Sequence, residues 1–232
     1  MAFWSRLRDL VGGKKSTTPA SDPLSGVRWI TGSDNPFGVD LLDCRSFSQS
    51  MLAVTKDPKV AETYTALRGS SGEQYRGRTP EDSRTCACDL RYPHRGDTRD
   101  GPIFKAEAME DKWDIYFYDG YLYFARSWTG ELEYRAHIVF HEDEARVVCV
   151  EARRTLVESD PAYPVAAVDY LIRSHLYRLH VPHPLSKSIG QDPRQHALFS
   201  FSQYGRYGLF GTLADTTRLR LPAQEQTREP DV

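Results

Sequence analysis

Residues 112–130 read KWDIYFYDGYLYFARSWTG, and their alternation decides the fold. Side chains point to opposite faces at successive positions of a strand. Asp119-Gly120 is a two-residue turn of the kind that places both residues at positive φ. Folding back there sets Tyr118 opposite Tyr121, Phe117 opposite Leu122, Tyr116 opposite Tyr123 and Ile115 opposite Phe124. One face then carries Trp113, Ile115, Phe117, Leu122 and Phe124, ending at Arg126. The other carries Asp114, Tyr116, Tyr118, Tyr121, Tyr123 and Ala125. A one-residue slip would scramble both sets, so the register is well specified.

Working outward, Trp128-Thr129-Gly130 fits a three-residue loop with Gly130 in the left-handed position. That loop puts Phe124 opposite Tyr134 and Leu122 opposite Ala136. The apolar face extends through Leu132, Tyr134, Ala136 and Ile138. The tyrosine face gains Arg135 opposite Tyr123 and His137 opposite Tyr121. A polar turn at 141–144 leads to a fourth strand over 145–151. The fold class is therefore α+β, an antiparallel sheet built on a four-strand meander at about 113–151, with about three helices packed on it.

Each of those helices follows an Asp-Pro pair, which supplies an N-cap acceptor and a proline suited to the first turn. Asp57-Pro58 opens one that closes near Gly69. Asp160-Pro161 precedes the longest, over 163–179. Asp192-Pro193 opens the third, stopped by Gly205. Further strands are expected at 27–30, 39–43 and 86–92, and polar loops at 69–84 and 94–102. The domain plan is a short amphipathic helix at 1–13, a linker at 14–24, one globular domain at 25–221 and a polar tail at 222–232. A helix as short as 1–13 is marginal alone, so it is expected to dock on its own domain, a partner or a membrane surface.

The 232 residues carry 27% charged side chains and a net charge of −2. That composition fits a globular domain and gives no global charge signal for nucleic acid. No run approaches the length of a membrane span, and the N-terminus lacks an apolar signal core, so a cytoplasmic location is expected. Cys44, Cys86, Cys88 and Cys149 match neither a disulfide framework nor a paired zinc pattern. No cofactor and no metal are expected. His175, His180 and His183 cluster in sequence but lack a metal-ligand spacing. The glycines at 69–72 and at 205, 208 and 211 match no phosphate-binding motif. Gly205 reads as a helix C-cap.

The candidate binding residues are the four tyrosines Tyr116, Tyr118, Tyr121 and Tyr123, with Arg135 and His137 beside them. Tyrosine combines a stacking surface with a hydroxyl, and arginine and histidine add charge and hydrogen bonding. Arg126 and Trp128 form a second pair at a tight loop, suited to an anion or carboxylate. Against these readings stands a simpler one, that a helix covers the tyrosine face and that Arg126 and Trp128 staple the hairpin end.

The pattern K-W-x-I-Y followed by G-x-L-Y-F-x-R-S-W-T-G resembles a motif of uncharacterised bacterial proteins. The resemblance covers about a tenth of the chain and implies no activity. The leading functional expectation is a cytoplasmic binding or accessory domain that recognises a protein or small-molecule ligand through its aromatic sheet face. The alternatives are an enzyme acting on a nucleotide-like or phosphorylated small molecule, and an oligomerising structural subunit.

Overall fold

The computed structural model describes residues 22–219. The expected helix at 1–13, the linker up to residue 21 and the tail at 222–232 lie outside the described residues. In chain order the strands are β1 (Arg28–Ile30), β2 (Leu41–Asp43), β3 (Ser83–Pro93), β4 (Gly101–Phe104), β5 (Trp113–Tyr118), β6 (Tyr121–Arg126), β7 (Leu132–Phe140), β8 (Glu144–Arg153), β9 (His183–Pro184) and β10 (Phe210–Thr212). The helices are α1 (Arg45–Ser50), α2 (Pro58–Arg68), α3 (Arg154–Ser159), α4 (Tyr163–Leu171) and α5 (Pro193–Tyr204).

β5 to β8 follow one another as antiparallel neighbours, as the meander requires, but the sheet does not stop there. β4 adds to one edge and β3 to the other, giving six antiparallel strands in the order β3-β8-β7-β6-β5-β4. A second, four-stranded sheet runs β1-β2-β10-β9, with β10 and β9 parallel. The α+β class holds; the four-strand meander is the centre of a larger sheet.

The hairpin register is the expected one at every pair from Trp113–Arg126 to Tyr118–Tyr121. Asp119 and Gly120 have φ of +50° and +78°, so the turn twists with its strands. The next connection is one residue longer than expected. Arg126 N donates to Glu131 O and Gly130 N to Arg126 O, both at 2.8 Å, closing a loop of four residues. A bulge then restores the register, because Ala125 pairs with Leu132 while Phe124 pairs with Tyr134. Glu133 is the extra residue. One consequence corrects the sequence reading: Leu132 packs with the tyrosines and not with the apolar face.

The apolar face is the main core. Ile115, Phe117, Leu122, Phe124, Ala136 and Val150 pack against Ala167, Val168, Leu171 and Tyr204 from α4 and α5. A second core under the small sheet joins Leu42, Phe47 and Leu185 to Ala197. Phe199 of α5 packs on both clusters, so this helix ties the two sheets together.

The Asp-Pro signals act as read for two helices. Asp57 Oδ1 accepts from Lys59 N at 2.9 Å, and Asp192 Oδ1 from Arg194 N at 3.0 Å. The third helix is shorter than 163–179. α4 ends at Leu171 and continues as one π-helical turn, Ile172–Leu176. Arg178, at φ +57°, then reverses the chain.

Candidate functional site

The two halves of the six-stranded sheet differ in burial. All six residues of β5 are buried, so that strand is covered on both faces. In β7 and β8 buried residues alternate with half-buried ones. Helices cover the apolar face throughout. On the tyrosine face, a cover exists only over β5 and β6, and it is a loop.

That cover is the polar segment 69–78. Gly72 has φ +87°, and a Cβ there would lie 2.1 Å from the Tyr116 ring. Only glycine lets the backbone come so close. The Tyr75 ring packs 5.3 Å from Tyr116, and its hydroxyl donates to Gly130 O at 2.9 Å. Tyr118 donates to Ser71 O at 2.9 Å, and the Tyr123 hydroxyl accepts from Gly77 N at 2.9 Å. The glycines of this loop thus serve close packing. Tyr116, Tyr118 and Tyr123 are core residues, contrary to the expectation of an exposed aromatic face.

Beneath Tyr116 lies a buried carboxylate. Asp114 accepts from Lys105 Nζ at 2.9 Å, Arg68 Nη2 at 3.2 Å and Ala106 N at 2.8 Å. Lys105 also donates to the Tyr116 hydroxyl at 2.7 Å and to Leu67 O at 2.8 Å. Burial and the nearby Asp114 charge raise the Tyr116 pKa, so its hydroxyl stays protonated. This network anchors the C-terminus of α2, a helix with no buried residue of its own.

Arg126 and Trp128 are structural too. Arg126 donates to Ser202 O at 2.6 Å and Gln203 O at 3.1 Å, capping the end of α5. Its guanidinium sits 4.7 Å above Trp113, whose indole also donates to Gln203 O at 2.7 Å. Trp128 donates to Met109 O and Ser127 to Asp111 O, at 2.8 and 2.6 Å. Lys112 lies against Trp128 and Phe201, 4.2 and 5.0 Å from their ring centres. Burial, reinforced by Arg126, lowers its amine to about 7. Lys112, Trp113 and Arg126–Trp128 are therefore the clamp that fastens the hairpin end to α5 and the 105–112 loop.

Tyr121, Arg135 and His137 remain on the uncovered half. The His137 ring stacks on Tyr121 at 4.8 Å and 22°, and Arg135 lies 4.5 Å over the same ring. Glu151 holds Arg135 through two 2.7 Å bonds. Cys149 pairs with His137, and Val139 with Arg146, on this face. Ion pairs rim it: Arg146 to Asp89 at 2.5 Å and Arg91 to Asp89 at 3.1 Å. An enzyme acting on a phosphorylated small molecule would need Arg126, Arg135 or His137 to meet the 69–84 loop at a cleft. Arg135 does reach that loop, but Glu151 takes its Nε and Nη2 and Arg78 O takes its Nη1, at 3.4 Å, which leaves it no free nitrogen, and Arg126 is bonded to the end of α5.

The histidine cluster disperses. His175 and His183 are buried, and desolvation first of all pushes each down to about 3. His180 is exposed. Burial pushes the Cys44 and Cys88 thiols up to about 12. Among the described residues no three His, Cys, Asp or Glu side chains are grouped to hold a metal, and no helix is long and apolar enough to cross a membrane. No protein-family model matches this chain, and neither a curated protein nor a solved structure matches it.

Proposed function

We propose that the protein is a binding or accessory domain that recognises a protein partner through the open half of its six-stranded sheet. One observation carries this reading. β5 is buried on both faces, whereas Tyr121 at the start of β6 and Arg135, His137, Val139 and Arg146 of β7 and β8 stay half-buried. The open area has a Tyr121–His137 stack and Arg135 at its centre, valines and a cysteine beside them, and ion pairs around the edge. Aromatic and arginine residues in the centre with a polar rim are the composition of protein-recognition patches.

The test places a photo-crosslinking residue at Val139, on this face, and another on α2 as a control. A discrete adduct from Val139 alone, whose purified partner binds the Tyr121→Ala or His137→Ala protein about tenfold more weakly, supports the reading. Unchanged affinity in both variants sinks it. An adduct of twice the chain mass, with a concentration-dependent mass in solution, replaces the foreign partner with a second copy.

A further inference from the structure

A cleft of about 290 Å³ lies between the end of α4 and the turn that follows α5. Its origin is a pair of backbone departures. The π-helical turn Ile172–Leu176 widens the end of α4, and Arg178 at φ +57° swings the following residues away. π turns and left-handed non-glycine residues cost energy and gather at functional sites. Two bonds hold the gap in shape: Ser174 Oγ donates to Tyr170 O at 2.7 Å, and Tyr170 Oη to Tyr207 O at 2.6 Å.

The lining has two parts. Tyr170, Val181 and Leu209 form an apolar floor and wall, and Gln49, His180 and Arg206 stand at the mouth. Buried Asp111 grips one edge of Arg206, with Nε at 2.6 Å from Oδ1 and Nη2 at 2.9 Å from Oδ2. Nη1 makes no bond to Asp111, and Nη2 keeps a second N–H beside the one that Asp111 takes. Exposed Glu107 approaches it only to 3.9 Å. Tyr207 Oη accepts from Arg178 Nη1 at 3.0 Å, which leaves the tyrosine proton free to donate.

We infer that this cleft binds a small carboxylate with an apolar body, its carboxylate on the outer edge of Arg206 and its body on Tyr170, Val181 and Leu209. A planar carboxylate matches a guanidinium edge. A phosphate would call for the backbone N–H cradle or helix N-terminus that phosphate sites use, and the lining supplies neither. The volume lies just under the ~300–1,000 Å³ of small-molecule sites, which limits the body to a small one.

The experiment titrates the full chain with benzoate, hexanoate, benzyl alcohol and inorganic phosphate, following amide chemical shifts. The expected result is saturable binding of a carboxylate with a Kd of about 1 mM or tighter, and at least about tenfold weaker binding of the alcohol and of phosphate. Leu209→Trp, which fills the cleft, is expected to abolish the shifts. Tyr207→Phe, a change that keeps the ring, is expected to weaken binding about fivefold. Absence of saturation with either carboxylate overturns the inference. So does phosphate or benzyl alcohol binding as tightly as the carboxylates, or binding that survives both substitutions in folded protein.

Discussion

Tyr116 and Tyr121 belong to the same face of the same hairpin, yet they have opposite roles. Tyr116 is fully buried and its hydroxyl sits in the Lys105–Asp114 network, whereas Tyr121 is half-buried under a stacked histidine. Tyr116→Ala is expected to cost about 3–5 kcal/mol of stability, from the cavity it opens. Tyr121→Ala is expected to cost under about 1 kcal/mol. Urea denaturation of the two variants measures the difference, and equal costs would refute the assignment of the two tyrosines to core and surface. Gly72→Ala is a second test at this scale. The added methyl meets the Tyr116 ring, and the φ of +87° is strained for any other residue. A loss of at least about 2 kcal/mol is expected, with the Tyr75 and Tyr123 contacts loosened together.

At the scale of elements, the end of α5 is pinned to the hairpin by side chains and not by sheet pairing. Arg126→Ala removes two bonds to the last turn of α5 and the stack on Trp113. A cost of about 2–3 kcal/mol is expected. Amide exchange should accelerate first in residues 201–207, while β7 and β8 keep their protection. Uniform acceleration across the sheet would show that Arg126 supports the core and not the helix end. The bulge at Glu133 works at the same scale. It absorbs the extra residue of the 127–130 loop and so preserves the pairing of Phe124 with Tyr134.

The whole molecule carries a pH signature, because several ionisable groups are buried where charge is costly. His175 and His183 titrate near 3 in the fold, well below the ordinary histidine value of 6.5. Between those values the unfolded chain binds protons that the folded chain does not. Their stabilising contribution is therefore complete above pH 6.5 and falls as the pH drops. From pH 6.5 to 5, a loss of about 1.4 kcal/mol per pH unit for each histidine is the upper bound. His183→Gln is expected to halve that slope in urea melts. Lys112 acts in another window. Its folded value of about 7 lies below the usual 10.5, so stability rises as the pH climbs from 7 toward 9, above which the Cys44 and Cys88 thiols, raised to about 12, oppose the rise. Lys112→Met should flatten that rise. A wild-type stability curve that is level across both windows would contradict the burial of these groups.

The sequence by itself determined the hairpin, its register, the contents of both faces and the three main helix starts. These are local features: a two-residue turn, a period of two and an N-cap carboxylate act within a few residues of each other. It missed β4, the parallel β9–β10 pair and the early end of α4, which depend on pairing and packing between distant segments. It also could not say which tyrosines are covered. Loop 69–78 has no periodicity, and its role comes from Gly72 and Tyr75 meeting Tyr116 more than forty positions away. Tertiary structure alone decided that four tyrosines on one face divide into a core and a surface, because burial is a property of what packs above a strand and not of the strand itself.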